Sequence, residues 1–253
     1  MAPELGARYP QIQTFLAQGL QRPELTARLD ITPAGFHGAV VSPKGLFYID
    51  PLADGQRDFY SAYYTRDLQF PEGQEIPHCG VTDAPLNLSR DLPEEATNRS
   101  AFNLRDAEEE TVELRTYRLA LACTGEYGQA KGGNKTAVLA SMVTSINRVN
   151  QIFEKETAIR LQLIANNDTL IYLNGSTDPF ISADNAPSLL GQNTLVLNQV
   201  IGASAYDLGH VFTLSCSNSI GGIARYASAC GAEKGAGVTC HFTNSVEFIA
   251  VQI

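Results

Sequence analysis

A long amphipathic segment between two strand-like segments restricts the fold of this chain more than any other feature. Asn134 can cap a helix whose apolar positions recur every three or four residues as far as position 153. These positions are Val138, Leu139, Met142, Val143, Ile146, Val149, Ile152 and Phe153. Residues 117–122 before this helix and residues 158–165 after it have strand character. Strand, helix and strand at this spacing predict a parallel pair with a right-handed crossover.

The chain continues in the same alternating manner after the crossover. Residues 188–201 predict a second helix, residues 210–214 a third strand, and residues 223–227 a fourth strand. The inward positions of the second helix are Leu189, Leu190, Val196, Leu197, Val200 and Ile201. Residues 114–253 therefore predict an α/β unit with a mostly parallel sheet and two helices.

The first 70 residues predict a separate, small α+β unit. A short amphipathic helix is expected over residues 9–20, and residues 25–50 are rich in strand signals. The apolar positions of the expected helix are Ile12, Phe15, Leu16 and Leu20. An aromatic patch that we assign to the core of this unit consists of Phe59, Tyr60, Tyr63 and Tyr64.

Charge and hydropathy exclude several classes of protein. The net charge of −9 argues against a nucleic-acid partner, because phosphate binding requires clustered Lys and Arg. No run approaches the roughly 20 apolar residues that span a bilayer, so no membrane span is expected. The first residues lack a basic start followed by an apolar stretch, so a signal peptide, if the protein is exported, would lie upstream of this sequence.

The five cysteines leave at least one thiol without a partner in the monomer. They are Cys79, Cys123, Cys216, Cys230 and Cys240. The absence of a Cys-x-x-Cys pair weakens a structural zinc ribbon or a thioredoxin-like reading. Two bridges among the last four cysteines with a free thiol at Cys79 fit the spacing, and five reduced thiols fit it as well.

Residues 71–113 predict a connection between two units. Proline and glycine interrupt residues 71–85, and residues 91–113 are strongly acidic with interspersed arginines. An exposed polar linker with basic residues is a natural site of proteolytic processing. We therefore divide the chain at 1–70, 71–113 and 114–253.

The glycine-rich segment 125–136 opens the long helix, which is the context of a phosphate-binding P-loop. Asn134 separates Gly133 from Lys135, however, and one inserted residue rotates the lysine by roughly 100° around a helix. A plain strand-to-helix connection is the preferred interpretation, with a nucleotide binder kept as an alternative.

Several segments, in this order, resemble one family of proteases. The sequence RTYRLALACTGEYG at 115–128 resembles the first strand of the catalytic domain in bacterial reprolysin-like (adamalysin-type) metallopeptidases, which are metzincins. Residues 147–161 resemble its first helix and second strand. YDLGHVF at 206–212 and GGIA at 221–224 resemble its third and fourth strands. TPAGFH at 32–37 resembles the family's pro-region.

The resemblance implies an α+β pro-region followed by an incomplete α/β metzincin-like domain with an antiparallel edge strand. It also implies a secreted zinc endopeptidase whose ligands lie on a His-Glu-x-x-His helix. That motif is expected soon after Thr239, but the chain contains no His-x-x-x-His. We therefore expect a chain truncated before the zinc-binding helix, inactive alone, with no catalytic residue of its own to assign.

The resemblance assigns roles to two further segments. Cys79, within PHCGVTD at 77–83, resembles the cysteine switch whose thiolate caps the catalytic zinc of a zymogen. The fourth strand corresponds to the edge that binds extended substrate, which places peptide or protein binding on Gly222, Ile223 and Ala224. An ordinary edge strand, a disulfide at Cys79, and a secreted pseudoprotease that only binds peptides are the alternatives.

Overall fold

The computed structural model describes residues 1–53, 55–67, 78–80 and 112–240. This part of the chain contains two β-sheets and four α-helices, so the mixed α and β character expected from the sequence is confirmed. None of the described helices is both long enough and apolar enough to cross a bilayer. The acidic run, almost all of the linker and His241 lie outside the described residues, and the proposed unit boundaries at 70 and 113 stay predictions.

The first sheet is an antiparallel meander in which each strand pairs with the next along the chain. Its strands are β1 (Gln13–Gln18), β2 (Thr26–Thr32), β3 (Gly35–Ser42), β4 (Gly45–Pro51) and β5 (Tyr60–Tyr64). The β3–β4 turn is held by the Ser42 hydroxyl, which accepts from the Lys44 N–H at 3.2 Å and donates to the Gly45 carbonyl at 2.8 Å. The strand-rich character expected for residues 25–50 is confirmed.

The second sheet has the strand order β6-β10-β11-β9-β7-β8. Its strands are β6 (His78–Cys79), β7 (Arg115–Cys123), β8 (Ile159–Leu163), β9 (Leu208–Thr213), β10 (Ile220–Ala224) and β11 (Gly237–Cys240). The pairs β7–β8, β7–β9 and β9–β11 are parallel, and β10 runs antiparallel to β11. The predicted parallel crossover is therefore confirmed, and so is the mostly parallel sheet.

Two helices cover the two faces of this second sheet. The four helices are α1 (Pro3–Arg8), α2 (Gly125–Ala130), α3 (Lys135–Thr157) and α4 (Ala186–Val200). α3 packs its apolar stripe on one face, and α4 packs on the other. The Asn134 side chain accepts from the Ala137 N–H at 2.9 Å, which confirms it as the N-cap of α3. Because both faces of the sheet are covered, consecutive residues at the end of β7 are all buried, instead of alternating between buried and exposed.

The helix expected over residues 9–20 is wrong. A shorter helix, α1, lies before this segment, and β1 replaces its second half. β1 pairs with β2 along its whole length, from Gln13 opposite Ile31 to Gln18 opposite Thr26. The ladder hydrogen bonds and the tertiary position of β2 override the helical spacing of the apolar residues.

Two other local expectations need correction. Phe59 and Tyr60 are exposed rather than part of a core, because they lie at the start of the edge strand β5. The glycine-rich segment is not all loop, since α2 forms within it. The Thr124 hydroxyl accepts from the N–H of Tyr127 at α2, and the Tyr127 side chain is fully buried.

α3 is also buried on its other side, where it meets β2 of the first sheet through polar groups. Asp30 on β2 is buried, and its carboxylate accepts from the Thr144 hydroxyl at 2.6 Å and from the Asn147 amide at 3.1 Å. The His37 Nδ1 lies 3.2 Å from the same carboxylate. A buried carboxylate with several donors fixes the position of the sheet on the helix.

Two ion pairs extend this polar interface between the first sheet and α3. Asp50 on β4 accepts from Arg148, whose guanidinium also lies 4.3 Å from the centroid of the Tyr48 ring. Arg28 on β2 pairs with Glu154. Burial raises the pKa of Glu154, but hydrogen bonds from Arg28 and Arg160 outweigh it, so that the pKa is lowered.

Residues 1–12 pack against the second sheet rather than against the first. The Ala2 N–H donates to the Leu163 carbonyl at the end of β8, at 2.8 Å. The side chains of Leu5 and Ile12 are buried in the cluster that α3 forms on the second sheet. Arg8 donates to the Ala165 carbonyl and to Asp168, both at 2.7 Å. Residues 1–12 are therefore part of the core around α3.

Candidate functional site

The edge of the second sheet brings together the two segments that the sequence assigned to function. β6 runs parallel to β10, with His78 opposite Ile220 and Cys79 opposite Gly222. The Gly80 N–H donates to the Gly222 carbonyl at 2.8 Å. The pairing is irregular between Ile220 and Gly222. The predicted metal-binding thiol and the predicted substrate strand are thus direct neighbours.

The two faces of β10 differ in their surroundings. The Ile223 side chain packs against the cluster beneath α4. Gly222 and Ala224 are paired with Thr239 and Gly237 of β11, and successive residues of a strand face opposite sides. Backbone without large side chains therefore lies on the α3 side of this edge. An extended peptide can approach such a backbone closely.

A cavity of about 340 Å³ opens beside this edge, on the α3 side of the sheet. Cys79 and the three predicted substrate-binding residues line it, together with His210 and apolar residues such as Leu208 and Phe153. Most of its exposed wall is apolar, and Arg225, Ser228 and Lys234 also line it. The apolar part of the wall can hold an apolar side chain of a bound peptide.

His210 on β9 is one of the titratable side chains that line this cavity. Its Nε2 lies 2.7 Å from the hydroxyl of Thr239. Burial lowers the pKa of His210 to about 4, so the ring is neutral at pH 7. A Cβ added at Gly237 would lie 2.5 Å from the His210 Nδ1, which explains why a glycine occupies that position. Sequence reasoning assigned no such role to His210, Thr239 or Gly237, because the contacts join different strands.

The described residues do not form a zinc site. No group of three or more His, Cys, Asp or Glu side chains in this part of the chain could hold a metal ion. At the β10 edge the available donors are the exposed thiol of Cys79 and the neighbouring His78. Since a protein zinc site uses three or four ligands, this pair does not make one.

The cysteines form fewer bridges than the expected two. One disulfide joins Cys216, after β9, to Cys240 at the end of β11. Cys123 is buried in the core, where burial raises its pKa to about 12, and Cys230 and Cys79 are exposed free thiols. The expectation of two bridges is therefore wrong, because the interior position of Cys123 keeps it from any partner. A free thiol at Cys79 agrees with the sequence prediction.

The glycine-rich segment before α3 does not offer a phosphate cradle. A P-loop binds phosphate through backbone N–H groups that are free to point at the ligand. Here the N–H groups of Gly128, Gly132 and Gly133 donate to backbone carbonyls of residues 124–129, at 3.0 to 3.2 Å. The nucleotide-binding alternative is therefore not favoured.

The polar interface between α3 and the first sheet was also not predicted from the sequence. Asp30, His37 and Asp50 lie on three different strands, and the α3 partners of Asp30 and Asp50 lie 98 or more positions away in the sequence. A signal was present in α3 itself. On the side opposite its apolar stripe, the helix carries Thr144, Asn147 and other polar residues. A helix that packs on one side only would carry solvent-exposed charged residues at such positions.

Comparison with known proteins supports a protease family for the second part of the chain. Residues 139–252 match the family model described as metallo-peptidase family M12B, reprolysin-like. This match covers fewer than half of the 253 residues. No curated protein matches the chain. The match supports a reprolysin-like metallopeptidase relationship, and with it proteins or peptides as the general class of substrate.

Proposed function

We propose that this chain carries the latent form of a secreted, reprolysin-like zinc endopeptidase, with its own segment around Cys79 lying on the strand that binds substrate. The observation that carries the proposal is the pairing of β6 with β10. The family match supports protease function in general. The disulfide between Cys216 and Cys240 supports an oxidising, extracellular location.

Strand addition is the binding mode that this edge favours. β10 uses one side to pair with β11, and β6 uses the other. A bound peptide would take over the hydrogen bond that Gly80 now makes to Gly222, because main-chain groups provide the affinity in strand addition. One edge holds one strand at a time. The segment around Cys79 and a substrate therefore compete, which is a mechanism of latency.

The chain by itself is expected to lack peptidase activity. Members of the matched family depend on zinc, but the described residues do not form a zinc site, and no His-x-x-x-His occurs in the sequence. Purified chain should contain far less than one zinc per molecule by elemental analysis and should not hydrolyse casein. Stoichiometric zinc together with casein hydrolysis would overturn the claim of inactivity.

Competition at β10 can be tested with the Gly80→Pro variant. Proline lacks the N–H that bonds to Gly222 and keeps the preceding residue extended, so β6 should leave the edge while the rest of the fold persists. The probe is a fluorescein-labelled peptide with the sequence of residues 77–83, followed by fluorescence anisotropy. We expect the variant to bind this peptide at least about tenfold more tightly than the unaltered chain.

Cys79→Ser is the matched control for this experiment. It changes the thiol but keeps every backbone hydrogen bond of β6, so the peptide should bind as weakly as it does to the unaltered chain. Equal binding by the unaltered chain and the Gly80→Pro variant would contradict occlusion of β10. Peptide binding by the variant without any hydrolysis is the result expected for this chain.

A further inference from the structure

The backbone of residues 172–175 lies directly against the backbone of α2. A Cβ added at Gly125 would lie 2.2 Å from the carbonyl carbon of Asn174 and 2.2 Å from the nitrogen of Gly175. One added at Gly128 would lie 2.0 Å from a carbonyl oxygen of the same segment. These distances are far below van der Waals contact, so no additional atom fits between the segment and the helix.

Hydrogen bonds hold both carbonyl groups of Asn174 in a tight turn. Asn174 is exposed, and together with Gly175 it forms the only Asn-Gly pair in the sequence. Its side-chain oxygen Oδ1 accepts from the Ser176 N–H at 2.9 Å and from the Ser176 hydroxyl at 2.6 Å. Its main-chain carbonyl accepts from the N–H groups of Thr177 and Asp178, at 3.1 and 3.0 Å. The side-chain carbonyl is therefore fixed in position and polarised by two donors.

The nitrogen of Gly175 can reach this polarised carbonyl group. Within the described residues, the Gly175 N–H donates no hydrogen bond. Glycine also lacks the Cβ that would hinder an approach to its nitrogen. The Glu126 carboxylate fills the space beside the Gly175 α-carbon, since a Cβ added there would lie 2.2 Å from the Glu126 Oε1. The turn thus combines an activated carbonyl, an unhindered nitrogen and a carboxylate that can accept a proton.

We propose that Asn174 is a site of self-catalysed deamidation, at which the folded chain converts the asparagine to aspartate and isoaspartate through a cyclic imide. The Gly175 nitrogen attacks the side-chain carbonyl carbon of Asn174 and loses its proton to the Glu126 carboxylate. The two donors of Ser176 stabilise the negative charge that develops on Oδ1. The bond to the side-chain nitrogen then breaks, and ammonia leaves with the proton from Glu126. Water opens the imide at either of its carbonyl carbons. The inference does not depend on the proposed peptidase function.

The products fit the turn less well than asparagine does. Isoaspartate carries the main chain through the former side chain, which adds a methylene group between residues 174 and 175. The contact with Gly125 leaves no room for that group. Both products add a negative charge to a turn that already holds the carboxylates of Glu126 and Asp178, the latter bonded to the Gly125 N–H. Deamidation should therefore loosen residues 172–175 from α2 and lower the midpoint of thermal unfolding.

Mass spectrometry of the full chain during incubation at neutral pH tests this proposal. Digested samples give the rate at which the fragment with Asn174 gains the mass of an amide-to-carboxylate change, and isoaspartyl methyltransferase detects the isoaspartate. The reference is a synthetic peptide of residues 171–179, which has the same Asn-Gly pair without the fixed turn. We expect the folded chain to deamidate at least about tenfold faster than this peptide. Calorimetry of the converted chain should show a lower midpoint of unfolding than the fresh chain.

Two variants and a matched control separate the fixed turn from the Asn-Gly pair itself. Ser176→Ala removes one donor to Oδ1 and Glu126→Gln removes the proton acceptor, and each should slow deamidation about tenfold. Thr177→Ala removes a hydroxyl of the same turn that bonds to the main-chain carbonyl of Asn174, and should leave the rate unchanged.

Asn185 is an internal control in the same samples. It is exposed, and its Oδ1 accepts from the Ser188 N–H at 3.0 Å, but an alanine follows it in the sequence. It should remain unmodified while Asn174 reacts. A folded chain that deamidates at Asn174 no faster than the peptide would overturn the proposal, as would a rate that neither Ser176→Ala nor Glu126→Gln lowers.

Discussion

The two sheets of this protein use the same helix in opposite ways. The second sheet meets α3 through an apolar cluster and is covered by α4 on its other face. The first sheet meets α3 through buried polar groups such as Asp30 and leaves its apolar side uncovered by the described residues. An apolar stripe on a helix therefore shows where one neighbour packs. It does not show that the other side faces water.

The consequence is a division of roles between the two contacts of α3. Apolar burial is non-directional and roughly proportional to area, so the second sheet supplies most of the stability around the helix. Polar contacts demand specific partners, so the first sheet is held in one register and orientation.

Asp50→Ala should weaken the polar contact most strongly. Asp50 pairs with Arg148, whose side chain is only 2% exposed, and also accepts from the Tyr63 hydroxyl at 2.6 Å. Removing the carboxylate takes away the anion that pairs with this buried guanidinium, which should lower the free energy of unfolding by about 4 kcal/mol in urea titrations. The control Asp67→Ala removes an exposed carboxylate, 3.7 Å from Arg66, and should change stability by less than about 0.5 kcal/mol.

The shape of the urea unfolding curve of Asp50→Ala tests further how the two sheets are held on α3. If the polar contact alone holds the first sheet on α3, the variant should unfold in two steps, with the first sheet losing structure at lower urea than the second. Circular dichroism and near-ultraviolet tyrosine signals followed together would separate the steps. Unchanged stability would mean that the ion pair does not hold the two sheets together.

Leu139→Ala should weaken the apolar contact by a smaller amount. Leu139 is fully buried between α3 and the second sheet. Truncation removes buried surface and leaves a cavity, for which we expect a loss of about 3 kcal/mol and a clearly lower midpoint of thermal unfolding. Leu195→Ala, on the exposed side of α4, is the matched control and should cost under about 0.5 kcal/mol. Similar losses in the two variants would refute the assigned core.

The acid response of His210 should be the smallest of the three effects. Because burial lowers its pKa in the folded chain to about 4, below the usual value near 6.5, its contribution to stability is present above pH 6.5. That contribution is lost as the pH falls toward 4. The unaltered chain should lose on the order of 2 kcal/mol more than His210→Gln between pH 6.5 and 4.

His78→Gln serves as the control for the acid response, because His78 is exposed on the edge strand. Urea titrations at a series of pH values would give the free energy of unfolding for all three proteins. Parallel pH profiles for the unaltered chain and His210→Gln would show that the ring is hydrated in the folded state.

Sequence patterns predicted the elements whose signals are local. The cap at Asn134, the α3 stripe and the β7–α3–β8 crossover depend on neighbours within a few turns, and all three are confirmed. Where pairing between distant segments decides the secondary structure, the local sequence patterns did not predict it. β1 forms because β2 lies beside it, and the helical spacing of Ile12, Phe15 and Leu16 was overridden.

The candidate site was predictable only in part, for the same reason. A resemblance to proteases directed attention to Cys79 and to Gly222, but only the folded sheet reveals that they lie opposite each other. The enclosed His210 depends on a contact with Thr239 across two strands. Residue spacing carries no information on such pairs, because the strand order is not the chain order.

The position of residues 1–12 has a mechanical consequence. Ala2 is bonded to the end of β8, and Leu5 and Ile12 are set in the core around α3, while the next residues enter β1. A force applied to the beginning of the chain would therefore load that core first and reach the meander of β1–β5 only afterwards. In an optical trap held at residue 1, the meander would be the protected element and the core around α3 the first to yield.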